Sequence, residues 1–270
     1  MEAAFFDLDK TVVSKSSSLA LTRPMYRAGL VTRGQLLKGA YAQLVYLLLG
    51  ADEKKMDRVK ESLLALTKGW DQAKVEEVVR EALLEYIDPY FYQEALDLIE
   101  LHRALGRKVF IVSSSPEEVV RPLVERLGEV DVIATKARIV DGKYTGEMEF
   151  YCYGEGKAEA IRRTAEEQLV DLSGSYAYSD SITDLPMLEA VGNPVAVNPD
   201  RDLRREAERR GWKIRDFRRP VRLRPHLPHV SAPSPAVAAA AGSVVVAGLV
   251  GWVLLRRLAS DRRSAGAEAA

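Results

Sequence analysis

The feature that most limits what this chain can fold into is a set of short apolar runs, each stopped by a polar residue. Ala3-Ala4-Phe5-Phe6 stops on Asp7, Val109-Phe110-Ile111-Val112 on Ser113, and Tyr176-Ala177-Tyr178-Ser179 on Asp180. Short runs that do not alternate apolar with charged residues fit strands buried on both faces. Helical stretches at 92–105, 117–127, 157–169, 184–190 and 201–210 separate them, and Val195–Val197 and Trp212–Ile214 read as further strands. Strands alternating with helices predict an α/β, Rossmann-like fold, a mainly parallel sheet with helices on both faces. Within it, residues 131–150 predict a strand and a hairpin, with Asp141-Gly142 as the turn.

The pattern changes between about residues 16 and 88. One of Ser16, Ser17 and Ser18 can cap a helix through Ala28, Thr32 opens a second to Gly50, Asp52 a third to near Gly69, and Asp71 a fourth through Ile87. This gives an all-helical insert after the first strand. Its stretch Tyr41–Leu49 is apolar nearly all round, which fits burial between helices. The expected organisation is then an α/β core of residues 1–15 and 89–217, and a helical cap of 16–88. A Pro- and Arg-rich linker, 218–235, follows. Residues 236–255 carry no charge and are long enough to cross a bilayer core; Arg256 and Arg257 open a short tail, 256–270. A transmembrane helix is the favoured reading of 236–255, against a buried helix or an Ala-rich tail.

Composition narrows the partners. The 39 basic and 39 acidic residues cancel, so no global charge points to nucleic acid, and none is expected. The basic segment at 215–224 lies beside the apolar stretch and suits anionic lipid headgroups better. Cys152 is the single cysteine, so no internal disulfide forms, and a buried thiol is its expected role. No secretory signal opens the chain, so residues 1–235 are expected in the cytoplasm, tethered to the cell membrane by a single span.

Polar residues at strand ends carry the chemistry. In open α/β sheets, ligands bind at the carboxyl ends of the strands. Asp7/Asp9, Ser113-Ser114-Ser115, Lys157 after the Gly-rich turn of Gly154 and Gly156, and Asp180 with Asp184 all fall at such ends. Asp7 and Asp9 lie two apart, so on a continuous strand they share a face. Two carboxylates on one buried face repel, and a divalent cation would compensate. Plainer roles exist: Ser113 and Asp184 as helix caps, Lys157 as a surface lysine.

DLDKT at 7–11, with Ser113, Lys157 and DSITD at 180–184, resembles the four-motif signature of the haloacid dehalogenase superfamily of phosphatases. The helical insert resembles the cap of its phosphoserine-phosphatase-like branch. That resemblance implies a Mg²⁺-dependent phosphomonoester hydrolase working through an aspartyl-phosphate. Asp7 would be the nucleophile and Asp9 the general acid and base. Asp7, Asp180 and the backbone carbonyl of Asp9 would hold Mg²⁺, with Asp184 behind them. Ser113, Ser114 and Lys157 would bind the phosphoryl group, and Thr11 would hold the loop. The substrate would be a small phosphomonoester. Phosphoserine enzymes of this branch usually place a Glu shortly after the first motif, but here the segment reads Val13-Ser14-Lys15-Ser16-Ser17-Ser18. Arg58 falls where they keep a carboxylate-binding Arg. Phosphatases of another small or lipid-derived ester, a phosphotransferase and an idle binding module remain as alternatives.

Overall fold

A computed structural model describes residues 1–32, 34, 67–86 and 90–222. Strand β1 (Ala3–Asp7) is followed by helices α1 (Ser17–Arg27) and α2 (Gln72–Tyr86). Then come β2 (Phe91–Tyr92), α3 (Gln93–Ala104), β3 (Lys108–Pro116), α4 (Glu117–Val124), β4 (Asp131–Val140), β5 (Lys143–Phe150) and α5 (Glu155–Gln168). The chain continues through β6 (Tyr176–Ser179), α6 (Leu185–Glu189), β7 (Asn193–Val197), α7 (Arg201–Arg210), β8 (Lys213–Arg215) and β9 (Pro220–Val221).

Seven strands form one sheet in the order β5-β4-β3-β1-β6-β7-β8. All neighbours run parallel except β4 and β5. The order turns back at β1, which lies between β3 and β6. Such a switch point leaves a crevice at the carboxyl ends. β1 is apolar up to Asp7 because both of its faces are buried. Ala4 and Phe6 enter the core on one face, and Ala3 and Phe5 the core on the other. Phe6 stacks on Tyr178 at 4.3 Å and Phe5 on Phe110 at 5.1 Å. With a period of two, Asp7 points to the Phe5 side, where α5 packs through Ile161 and Ala165.

Several expectations need correction. β1 ends at Asp7, so the two-residue period does not extend to Asp9. Beyond it the chain turns sharply: Val12 and Val13 N–H both donate to Leu8 C=O, and Lys10 has a positive φ of 63°. Lys157 does not follow a parallel strand. β4 outruns β3, β5 returns antiparallel along the excess, and Lys157 sits in the first turn of α5. The hairpin turn at Asp141-Gly142 lies as the sequence predicts, with positive φ at both residues. The Pro- and Arg-rich stretch begins later than expected. Pro220–Val221 pairs with Phe91–Tyr92 and Phe217 is buried, because an edge strand tolerates proline.

Between β1 and β2, α1 and α2 pack against each other, and α2 also meets α4 of the core. Residues 69–72 join the β4–β5 hairpin tip by backbone bonds: Gly69 N–H to Tyr144 C=O (2.8 Å), Tyr144 N–H to Trp70 C=O (3.0 Å) and Gln72 N–H to Gly142 C=O (2.9 Å). The two middle helices expected in 32–69 lie largely, and Tyr41–Leu49, Arg58 and 236–255 entirely, outside the described residues. Among the described residues, no helix is long and apolar enough to cross a membrane.

Candidate active site

Asp7, at the end of the central strand, is buried. Its Oδ1 accepts a hydrogen bond from Lys157 Nζ at 2.6 Å. The same ammonium donates to Asp184 Oδ2 at 2.8 Å. Asp184 Oδ2 also accepts from the buried Ser179 hydroxyl at 2.7 Å. Lys157 is only 2% exposed, so a surface role is excluded for it. Asp184 stands at the N-cap position of α6 but makes no side-chain cap bond; its carboxylate goes to Lys157 instead.

A short, constrained loop delivers Lys157. Gly154 has φ +54°, and a Cβ on Gly156 would stand 2.2 Å from Tyr151 C=O. Only glycine fits so close an approach.

Asp180 follows β6 and is 9% exposed. The loop after it is held by Asp200. Asp200 N–H donates to Asp180 C=O at 2.8 Å, and Ile182 N–H donates to Asp200 Oδ2 at 2.9 Å. Asp200 also caps α7 through Oδ1, accepting from Asp202 and Leu203 N–H. Ser113 is buried, and its Oγ accepts from Ser115 N–H at 3.2 Å rather than capping α4, whose N-cap is Pro116. Ser114 is exposed at the tip of that loop. Asp9 is half-buried. Thr11 is fully buried and its Oγ1 has no hydrogen-bond partner among the described residues.

Electrostatics set this cluster apart. Burial, opposed by Lys157 and reinforced by Asp184 and Asp180, pushes the Asp7 carboxyl up to about 8. Burial also raises Asp180 to about 6, against the pull of Lys10. Three buried carboxylates thus share one buried ammonium, and positive charge is in deficit. The donors are hard carboxylate oxygens, which suit Mg²⁺. Among the described residues, no three His, Cys, Asp or Glu side chains gather closely enough to hold a metal alone. Two carboxylates and a backbone carbonyl completed by water fit an ion that keeps its waters.

Sequence reasoning missed Ser179, Asp200 and Lys10. Ser179 closes the run that stops at Asp180, a position where a hydroxyl is unremarked unless its burial is known.

Cys152 is buried and its thiol is pushed by burial up to about 12, so it is inert. His102, the one described histidine, is bonded to the Tyr178 hydroxyl at 2.8 Å.

The buried Asp–Lys–Asp cluster thus stands at the carboxyl end of the central strand, at the switch point where α/β sheets bind their ligands. A family model for haloacid dehalogenase-like hydrolases matches residues 4–189, and the chain belongs to that family. A Mycobacterium tuberculosis protein named a probable phosphatase is 52% identical, covering 95% of this chain and 90% of its own. A phosphoserine phosphatase of the same organism is 34% identical, covering 91% and 79%. A phosphoserine phosphatase solved as a phospho-aspartyl intermediate analogue shares the fold, with TM-score 0.57 and 20% identity over 81% of this chain and 94% of that one. The chain is a phosphatase of the phosphoserine-phosphatase-like kind, a hydrolase of phosphate esters.

Proposed function

We propose that the chain hydrolyses a small phosphate monoester in two displacements through Asp7. The observation that carries this reading is the Lys157 ammonium bonded at once to Asp7 and Asp184 in a buried setting. A phosphate ester resists attack because its anionic oxygens repel a nucleophile, so catalysis needs positive charge and fixed geometry. An Asp7 oxygen attacks phosphorus, the ester P–O bond breaks, and Asp9 gives its proton to the departing alkoxide. Asp9 then takes a proton from water, the hydroxide attacks phosphorus, and the bond to Asp7 breaks, returning the carboxylate. Ser113 and the N–H groups of its loop bind the phosphoryl oxygens, with Ser114 at the rim, while Lys157 offsets charge on them and on Asp7.

Asp7, Asp180 and the Asp9 carbonyl would hold Mg²⁺. When bound, that ion supplies charge neutralisation at the phosphoryl oxygens.

Helices α1 and α2, packed on each other between β1 and β2, belong to the part of the chain that selects the leaving group. No acid stands in 12–18 to meet the ammonium of phosphoserine. Lys15 is there instead, over the Tyr90 ring at 3.6 Å. The substrate is accordingly proposed as a phosphomonoester whose recognition does not depend on that ammonium. A tether to the membrane through the charge-free stretch 236–255, with the phosphatase part on the cytoplasmic side, belongs to the same proposal.

The test is phosphate release across phosphoserine, other small phosphomonoesters and lipid-derived ones, with Mg²⁺ and with chelator. Mg²⁺-dependent release, with phosphoserine no better than its des-amino analogue, is the expected result. Release that is unaffected by chelator, or phosphoryl transfer to added alcohols in place of release, contradicts the reading.

A further inference from the structure

Thr135 escapes any motif, yet its buried hydroxyl joins the two loops that carry Ser113 and Lys157. β3 and β4 pair regularly up to Ser113 opposite Ala134, and the next pair is Pro116 opposite Thr135. Ser114 and Ser115 therefore bulge from the sheet, and a bulge leaves backbone groups without ladder partners. Thr135 Oγ1 donates to Ser114 C=O at 2.8 Å. On the other side β5 ends at Phe150, opposite Lys136. Just past that end, Cys152 N–H donates to the same Oγ1 at 3.2 Å. A hydroxyl has one proton and two lone pairs. Here the proton serves the serine loop and a lone pair serves the lysine loop.

Both loops are stiff enough to transmit that link. Ser115 N–H closes on Ser113 Oγ at 3.2 Å. From Cys152 the chain reaches Lys157 through Gly156 N–H to Tyr153 C=O (3.0 Å) and Lys157 N–H to Gly154 C=O (3.1 Å).

We propose that Thr135 is a positioning residue, fixing the separation between the serine loop and Lys157 so that both meet one phosphoryl group. This rests on the roles given above to Asp7, Ser113 and Lys157. Misplacing such groups by about 1 Å can cost about 10²-fold in rate.

The experiment compares Thr135→Val with Thr135→Ser in the full chain. Valine keeps the shape and loses the hydroxyl; serine keeps the hydroxyl and loses a methyl. The expected result is that valine lowers kcat about tenfold to 10²-fold and weakens inhibition by inorganic phosphate, while serine stays within about threefold of the parent. In a Ser113→Ala background the valine change should cost much less, since the two act on one loop. A merely structural Thr135 gives another pattern: a lower melting temperature with kcat kept, or serine worse than valine. Either overturns the proposal. If Thr135→Val does not fold, Thr135→Ser against Thr135→Ala isolates the same hydroxyl. Asp7→Asn runs alongside. An active Asp7→Asn removes the reading beneath the proposal, whereas an inactive one with a fully active Thr135→Val removes the proposal alone.

Discussion

Two groups of charges in this molecule have nearly the same geometry and opposite settings. At the crevice, Lys157 lies 2.6 Å from Asp7 and 2.8 Å from Asp184, with side chains 2%, 10% and 4% exposed. On α7, Arg209 lies 2.5 Å from Glu206 and Arg210 lies 2.5 Å from Glu189 of α6, with side chains 64%, 20%, 28% and 42% exposed. Water screens the second group and reforms around either partner if one is lost. Nothing replaces a partner lost from the first. Burial, rather than separation, turns one ion cluster into chemistry and leaves the other as surface. The pKa directions agree. Glu206 is held low, at about 2, by its hydrogen bonds to Arg209 and Arg210. Asp7 is pushed high by burial despite its lysine.

Lys157→Met should break the comparison most sharply. It leaves Asp7 and Asp184 buried without a cation, a loss of about 3–5 kcal/mol in stability. Urea unfolding should register that loss, and phosphate release should fall below detection. A variant as stable as the parent would show that Lys157 offsets little buried charge.

His102 gives an intermediate case. It is buried, with Nε2 2.8 Å from the Tyr178 hydroxyl. Burial, with the nearby charges of Arg107 and Arg215, lowers it to about 4. The unfolded chain takes up this proton near pH 6.5, the folded one only near 4. Stability from this group is therefore whole above about pH 6.5 and is lost as pH falls towards 4. Urea melts at pH 7 and pH 5 should differ by on the order of 1–2 kcal/mol from His102, and His102→Phe should flatten that difference. An unchanged slope would place the titration elsewhere.

Glu206→Gln should do least. It frees Arg209 and Arg210 to solvent, so kcat should be unchanged and the melting temperature should move within experimental scatter. A large drop would mean that the α7 cluster behaves like the buried one.

How much of this could be read in the sequence follows from the same contrast. Burial leaves an apolar signature, so AAFF, VFIV and YAYS marked their strands, and the polar residues that stop them marked the crevice. Asp7, Ser113, Asp180 and Asp184 lie there. The hairpin turn was legible because Asp141-Gly142 can take the positive φ a two-residue loop requires. The route to Lys157 was not legible, because nothing in β4 announces that it outruns β3. The two-residue period puts Asp9 on the Asp7 face because strand period is visible in sequence and the strand's end is not. Thr135, Ser179 and Asp200 act through side-chain hydrogen bonds to other segments, Thr135 to Ser114 and Cys152, Ser179 to Asp184 and Asp200 to Ile182, and such bonds leave no periodic trace. Pro220 reads as linker because proline weighs against strands, while its pairing with Tyr92 depends on an edge the sequence does not reveal.

The central claim is that Asp7 itself carries the phosphoryl group. The most direct measurement is mass spectrometry of Asp9→Asn, acid-quenched during turnover of an aryl phosphate: that leaving group departs without a proton from Asp9, so loss of water activation should let the intermediate accumulate. The account predicts one added phosphoryl group on the peptide that contains Asp7, absent from the same preparation bearing Asp7→Asn. A phosphoryl group on the Ser113–Ser115 peptide, or turnover with no labelled peptide at all, would contradict it.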